Sequence, residues 1–185
     1  MSKPHLIGLT GYAGTGKDTV RALLDEHGYH GLAFADPIRM MVRELFTSAG
    51  IDTDYMDTRN LKEAIIPELG LSYRHMAQTL GTEWGRSLHP NFWTRIAGAY
   101  MIDCSKEPSY FHSFCISDVR FINEAQWVRD QGGVIWRVER PQAVPVRAHA
   151  SEAEMYHFTA DKTIVNDGSI DDLRIAVATL LGALK

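Results

Sequence analysis

The sequence predicts an α/β domain in which a largely parallel sheet is flanked by helices. Two observations carry that prediction. Short apolar runs alternate with segments of helical period, the signature of βαβ units. A glycine-rich turn, Gly11-Tyr12-Ala13-Gly14-Thr15-Gly16, joins the first such run to the first such helix. The 185 residues, 45% hydrophobic and 23% charged, suit one domain, or one domain with a small lid, and supply apolar material for a core on both faces of a sheet.

Leu6-Ile7-Gly8-Leu9 reads as a short buried strand. A helix opens near Lys17 with Val20, Leu23 and Leu24 on one face, and Gly28 stops it. The stretch 32–35 reads as a second strand. Asp36 is then placed to cap a helix with Pro37 at its first position. Its residues Ile38, Met41, Val42, Leu45 and Phe46 recur at i, i+3, i+4, i+7 and i+8, an amphipathic helical period. Residues 51–71 are polar and broken by Pro67 and Gly70, so they read as a mobile insertion with a short helix near 61–66. Helices follow over about 73–88 and 91–104, the second with a stripe of Phe92, Ile96, Ala97 and Tyr100. A strand over 113–119 feeds a helix over 123–130, which Gly132-Gly133 ends. A strand over 134–138, a loop-rich excursion over 141–157, a strand at 163–165 and a turn at Asn166-Asp167-Gly168 lead to a last helix opened by Ser169. Asp172 stands three residues after Ser169, the capping-box position usually held by Glu or Gln.

The glycine turn carries the chemistry. Gly11 to Lys17 has the form G-x-x-x-x-G-K between a predicted strand and a predicted helix. Glycines allow backbone conformations closed to other residues, so that successive N–H groups can surround a phosphate. The helix N-terminus adds partial positive charge, and Lys17 reaches the β- and γ-phosphates of a bound nucleotide. Gly11, Ala13, Gly14, Thr15, Gly16, Lys17, Asp18 and Thr19 are therefore the expected phosphate cradle. The residue after the lysine, ordinarily Ser or Thr, is Asp18, which is placed either to bind Mg²⁺ or to serve as a favourable acid in the first helical turn.

A second constellation, Ser117-Asp118-Val119-Arg120, stands at the carboxyl end of a predicted strand, where ligands bind in open α/β sheets. An acid there can hold Mg²⁺ or its water, and an arginine can fork two phosphate oxygens. A structural ion pair would have the same sequence. Arg39, Arg43, Arg74, Arg86, Arg137, Arg140 and Arg147 form a supply of cations without evident acidic partners. A phosphoryl transferase needs several, because negative charge spreads over the transferring oxygens. Tyr73, Trp84, Trp93 and Trp136 are either core residues or surfaces on which a base stacks.

The formal net charge of −4 argues against a general nucleic-acid binder. Cys104 and Cys115 have no CxxC spacing, so two reduced, buried thiols are expected in place of a cysteine zinc site or a disulfide framework. His149 and His157 show no metal pattern. No signal-peptide core and no run of ~20 apolar residues is present, so a cytoplasmic location is expected, the host cytoplasm if the chain is phage-encoded.

The chain resembles the phage-type deoxynucleoside monophosphate kinases, relatives of adenylate kinase. The resemblance covers nearly the whole length and rests on Gly16-Lys17-Asp18-Thr19, Phe34-Ala35-Asp36-Pro37, and Leu80-Gly81-Thr82-Glu83-Trp84-Gly85-Arg86. It continues in the run from Ser117 to Ala125, Arg137-Val138-Glu139-Arg140-Pro141, the set His149, Ser151 and Glu152, and Asn166-Asp167-Gly168. The resemblance implies one P-loop kinase domain over 1–185, with an acceptor-binding region at about 36–104 and a lid at about 140–158. It implies acceptor contacts from Asp36, Arg39, Arg74, Gln78, Glu83 and Trp84. Asp118 and Arg120 would face the phosphates. Arg137, Arg140 and Arg147 resemble lid or donor-side residues, with Arg137 counted as catalytic and Arg140 as substrate-binding. Asn166 and Gly168 resemble the loop near the donor adenine.

The expected reaction is transfer from ATP to a deoxynucleoside monophosphate with Mg²⁺, giving ADP and the diphosphate. Small nucleotides are the expected partners; polymeric nucleic acid and membrane are not, and a homodimer stays open. The alternatives are a kinase of another small phosphorylated metabolite, a P-loop hydrolase or switch, and a non-catalytic nucleotide-binding module. A hydrolase needs a Gln or His to position water, and the sequence offers no clear candidate.

Overall fold

The computed structural model describes residues 5–106, 113–141, 155 and 157–183; Arg147, His149, Ser151 and Glu152 lie outside them. Five strands form one wholly parallel sheet: β1 (Leu6–Thr10), β2 (His30–Leu32), β5 (Phe114–Ile116), β6 (Val134–Glu139) and β7 (Lys162–Val165), in the order β2-β5-β1-β6-β7. Between and beyond them run α1 (Lys17–Asp25), α6 (Phe92–Ser105), α7 (Ile122–Asp130) and α8 (Ile170–Ala183).

Side-chain alternation along the strands sorts the core into two layers. Ile7, Leu9, Cys115, Trp136, Val138 and Ile164 bury one face against Val20, Leu23 and Leu24 of α1 and Leu173, Val177 and Leu181 of α8. On the other face lies α7. There a Cβ on Gly8 would come within 2.8 Å of Ile135 and 2.9 Å of Val119, so a bare backbone is required. Ser169 caps α8 as expected. Its hydroxyl accepts from the Asp172 N–H at 3.2 Å, and its own N–H donates to the Asp172 carboxylate at 2.8 Å. The Ser169 hydroxyl and N–H hold that exposed carboxyl below its ordinary value.

The chain divides into two compact units, Met1–Ala33 with Ile96–Lys185, and Phe34–Arg95. The first holds the parallel sheet. The second holds α2 (Asp36–Ala49), α3 (Asp54–Asp57), the antiparallel pair β3 (Ile65–Ile66) and β4 (Leu71–Ser72), α4 (Tyr73–Gln78) and α5 (Gly85–Leu88).

Several sequence expectations need correction. β2 lies two residues earlier than expected, because its ladder pairs His30, Gly31 and Leu32 with Phe114, Cys115 and Ile116. Ala33 and Phe34 are buried beyond that ladder. Asp36 does not cap α2: Ala35 occupies that position, and the Asp36 carboxylate bonds Arg39 at 2.9 Å. The helix expected near 61–66 does not form: 61–64 is turn and bend and Ile65–Ile66 is a hairpin strand, since Pro67 cannot continue a helix, Ile66 is fully buried, and Gly70 takes the positive φ of the turn. β5 ends at Ile116, so Ser117 and Asp118 belong to a turn. Along α6 the buried positions are Trp93, Thr94 and Cys104, whereas Tyr100 is exposed and stacks on His30.

The helix expected over 73–88 has those bounds but is not uniform. Thr79–Trp84 winds as a π-helix between α4 and α5. The Gly85 N–H donates to Leu80, five residues back. The carbonyl of Gly81 instead accepts from the Trp93 indole N–H at 2.7 Å.

Candidate active site

The carboxyl ends of β1 and β6 open onto a cavity of about 300 Å³, lined by residues that include Thr10, Gly11, Tyr12, Arg137, Arg140 and Val165. The turn after β1 forms its wall. Gly11, Gly14 and Gly16 have φ of 139°, 81° and 102°, all closed to ordinary side chains. A Cβ on Gly11 would collide with the Val138 carbonyl oxygen. No side chain caps α1 at Gly16, so the helix presents its first N–H groups to a ligand. Thr10 is fully buried, and its hydroxyl has no partner among the described residues.

Lys17 is folded back over the turn, its ammonium donating to the carbonyls of Gly11 and Tyr12 at 2.6 Å each. The Thr15 hydroxyl braces the same turn by donating to Tyr12 at 2.9 Å. Asp18 is exposed in the first turn of α1. Because β5 neighbours β1, the turn after β5 runs beside the end of β1, and the Val119 N–H donates to Leu9 at 3.0 Å. Asp118 and Arg120 are half-buried there. Glu124, buried at the start of α7, accepts the backbone N–H groups of Arg120 and Phe121 at 2.9 and 3.1 Å. Among the described residues nothing holds the Arg120 guanidinium. This turn therefore fixes the backbone of Arg120.

On the far side, Arg137 donates to the carbonyls of Met155 and Phe158 at 3.0 Å each, which ties β6 to the chain that enters β7. Arg140 is exposed at the cavity rim. Asn166 lies at the cradle itself, donating its side-chain amide to the Thr15 carbonyl at 2.8 Å. Gly168 lies in the turn before α8.

In the second unit three of the arginines that the sequence shows without evident acidic partners are paired with acids. Arg39 pairs with Asp36 at 2.9 Å, Arg43 with Asp57 at 2.8 Å, and Arg74 with Glu63. Asp57 comes from a neighbouring helix and Glu63 from a turn, neither revealed by sequence proximity, whereas Asp36 stands three residues before Arg39 on the same helix. Tyr73 is buried, which raises its pKa, and its hydroxyl bonds Arg39. Gln78 is half-buried where the π-helix starts, and Glu83 and Trp84 are exposed at its end. Trp93, read as core or stacking surface, is core, 5% exposed. The indole bond of Trp93 to Gly81 and the burial of Thr10 had no sequence signal beyond the residue types.

A parallel sheet whose first strand feeds a three-glycine turn, an uncapped helix N-terminus and a lysine, with a carboxylate and an arginine after the neighbouring strand, defines a P-loop phosphotransferase. The chain belongs to the deoxynucleotide monophosphate kinase family, whose description fits residues 43–177. It is an ATP-dependent kinase that phosphorylates deoxynucleoside monophosphates. The matched stretch begins after the P-loop, so the glycine turn and the family match are separate observations. A protein of Acanthamoeba polyphaga mimivirus described as "Putative deoxynucleotide monophosphate kinase" is 32% identical over 180 residues, covering 90% of this chain and 91% of that protein. The crystal structure of TT1252 from Thermus thermophilus, 21% identical and covering 100% of both chains, has a TM-score of 0.52, a shared fold. No helix among the described residues is long and apolar enough to cross a membrane.

Proposed function

We propose that the donor triphosphate lies along the Gly11–Thr19 turn, that Lys17, Asp118, Arg120 and Arg137 serve its γ-phosphoryl group, and that the acceptor monophosphate is held by the 36–104 region. The observation that carries this reading is the Arg120 side chain, left without a partner among the described residues on a turn beside the end of β1. Lys17 would exchange its two carbonyl partners for β- and γ-phosphate oxygens. Catalysis would be positioning and charge stabilisation, with no covalent enzyme intermediate.

On the acceptor side Asp36, Arg39, Arg74, Gln78, Glu83 and Trp84 are the proposed contacts. The exposed Arg39–Asp36 pair is worth only ~0–1 kcal/mol, so a dianionic phosphate can displace the carboxylate. Arg140, within the proposed lid at 140–158, and Asn166 with Gly168 are assigned to the donor side.

Mg²⁺ fits this donor set. It keeps several waters and is bound through one or two carboxylates plus substrate phosphates, not an all-protein cage. Asp18, in the first turn of α1, and Asp118, in the turn after β5, are the proposed carboxylates. When bound, the ion supplies charge neutralisation of the β- and γ-oxygens.

The test is a coupled ADP-release assay across ribo- and deoxynucleoside monophosphates. Little ADP from ATP alone and rapid release with one or more deoxynucleoside monophosphates is expected, because a kinase must exclude water until the acceptor is bound. Equal rates with and without every acceptor would favour the hydrolase reading.

A further inference from the structure

The π-helical segment has a defined keeper. In a continuous α-helix the Gly85 N–H would bond Gly81, four residues back; here it bonds Leu80, and the Gly81 carbonyl is satisfied by the indole of Trp93 at 2.7 Å. That indole lies against Gly85: a Cβ there would stand 2.6 and 2.7 Å from Cε2 and Nε1 of the ring, and closer still to Cζ2. Gly81 is equally confined, since its Cβ would meet Ile38 at 2.9 Å. Between these two glycines the chain makes its extra turn, and the residue it delivers at the end is Trp84.

Trp84 belongs to a fixed aromatic group. Its ring centroid lies 5.7 Å from Phe92 at 78° and 6.3 Å from Trp93 at 50°, and Phe92 meets Trp93 edge-on at 4.8 Å. Trp93 is buried and Phe92 half-buried, whereas Trp84 remains 42% exposed. A large aromatic ring backed by two others, with its remaining surface open, is a rigid stacking platform. A nucleobase of any identity can stack on such a surface.

We propose that Trp93 is a positioning residue for acceptor binding: its N–H bond to Gly81 maintains the π-turn and thereby fixes the plane of Trp84 against the base of the deoxynucleoside monophosphate. This rests on the reading that Trp84 contacts the acceptor. Trp93 does not touch the nucleotide and acts only through Trp84.

The experiment is a kinetic double-mutant cycle of Trp84→Ala and Trp93→Phe, with KM for the deoxynucleoside monophosphate, KM for ATP, kcat and the melting temperature measured on each preparation. Trp93→Phe keeps a ring and removes the N–H. It should raise acceptor KM about 2- to 12-fold, the worth of one neutral hydrogen bond, and leave kcat and ATP KM within about twofold. In the Trp84→Ala background the same change should add nothing to acceptor KM, because the effect runs through that ring. If Trp84→Ala leaves acceptor KM unchanged, the parent reading fails. If Trp84→Ala raises it and Trp93→Phe only lowers the melting temperature, or the two effects simply add, the positioning role fails and the parent reading stands. Should Trp93→Phe not fold, Gly85→Ala, whose methyl displaces the same indole, carries the same expectations.

Discussion

Asn166 and Thr15, 151 residues apart in sequence, are joined by a 2.8 Å hydrogen bond from the Asn166 amide to the Thr15 carbonyl. The Asn166 backbone N–H is itself anchored on Glu139 at 2.7 Å. The glycine turn is thus fastened to the end of β7, and Gly16 is confined by the same amide, which a Cβ on Gly16 would strike. Asn166→Ala should raise ATP KM about 2- to 12-fold, the range for a neutral hydrogen bond of ~0.5–1.5 kcal/mol, with acceptor KM unchanged. Gly16→Ala combines that collision with a φ of 102° and should be worse. Steady-state kinetics with each substrate varied in turn checks both; an unchanged ATP KM in Asn166→Ala would leave the tether structural only.

Lys17→Met should abolish transfer without unfolding the chain. The ammonium now bonds two loop carbonyls, and its loss leaves those oxygens to water at a partly exposed site. Turnover should fall by several powers of ten, each ~1.4 kcal/mol of lost transition-state stabilisation being tenfold. Circular dichroism should be unchanged. A folded variant with near-normal turnover would remove Lys17 from the chemistry.

The parallel sheet and the cradle were legible in the sequence because both depend on local pattern. A glycine turn between an apolar run and an amphipathic helix has one structural meaning, and the Ser169–Asp172 box is a three-residue signal. What sequence could not show depends on contacts made across long separations. Ile65-Ile66 lies in a stretch that reads as helical and becomes a strand only because Leu71-Ser72 returns to pair with it. The partners of Arg43 and Arg74 lie 14 and 11 residues away, so these arginines looked solitary. Asn166 read as part of a donor loop, and its bond to Thr15 has no sequence signature. The π-turn is hinted at by Gly81 and Gly85, but its lock comes from Trp93 on the next helix.

Arg120→Lys should separate a phosphate ligand from a structural partner. Strand alternation does not aim this side chain, since β5 stops at Ile116 and Arg120 lies beyond the turn. Glu124 binds its backbone N–H, and no described residue holds its guanidinium. Lysine keeps the charge but cannot fork two oxygens. Turnover should fall about 10-fold or more, a charge-assisted hydrogen bond being worth ~1.5–3 kcal/mol, with the melting temperature nearly unchanged. A lowered melting temperature with intact turnover would exclude Arg120 from the site.

The strand beside β1 carries a thiol whose titration should set part of the alkaline limit of the fold. Cys115 is fully buried between the sheet and α1, and burial pushes its pKa from 9.0 up to about 12; nearby Arg21 lowers it and Asp118 raises it by lesser amounts. Below pH 9.0 the thiol is neutral in both states and contributes no slope. Between pH 9.0 and about 12 the unfolded chain loses this proton while the folded chain retains it. The folded state binds more protons there, so stability falls as pH rises, by about 1.4 kcal/mol per pH unit for one such group. Burial also raises Tyr29 and Tyr73, which steepens the same limb. Cys115→Ala removes one thiol and leaves both tyrosines. Denaturant unfolding of the two proteins at intervals from about pH 8 to about pH 11 should therefore show the variant losing stability less steeply above pH 9.0, the curves being parallel below it. A disulfide reagent at about pH 8 should find Cys115 unreactive in the folded chain and reactive after unfolding, since the thiolate is the nucleophile. Rapid labelling of Cys115 in the folded protein, or identical alkaline limbs in the two proteins, would show that this thiol is open to solvent.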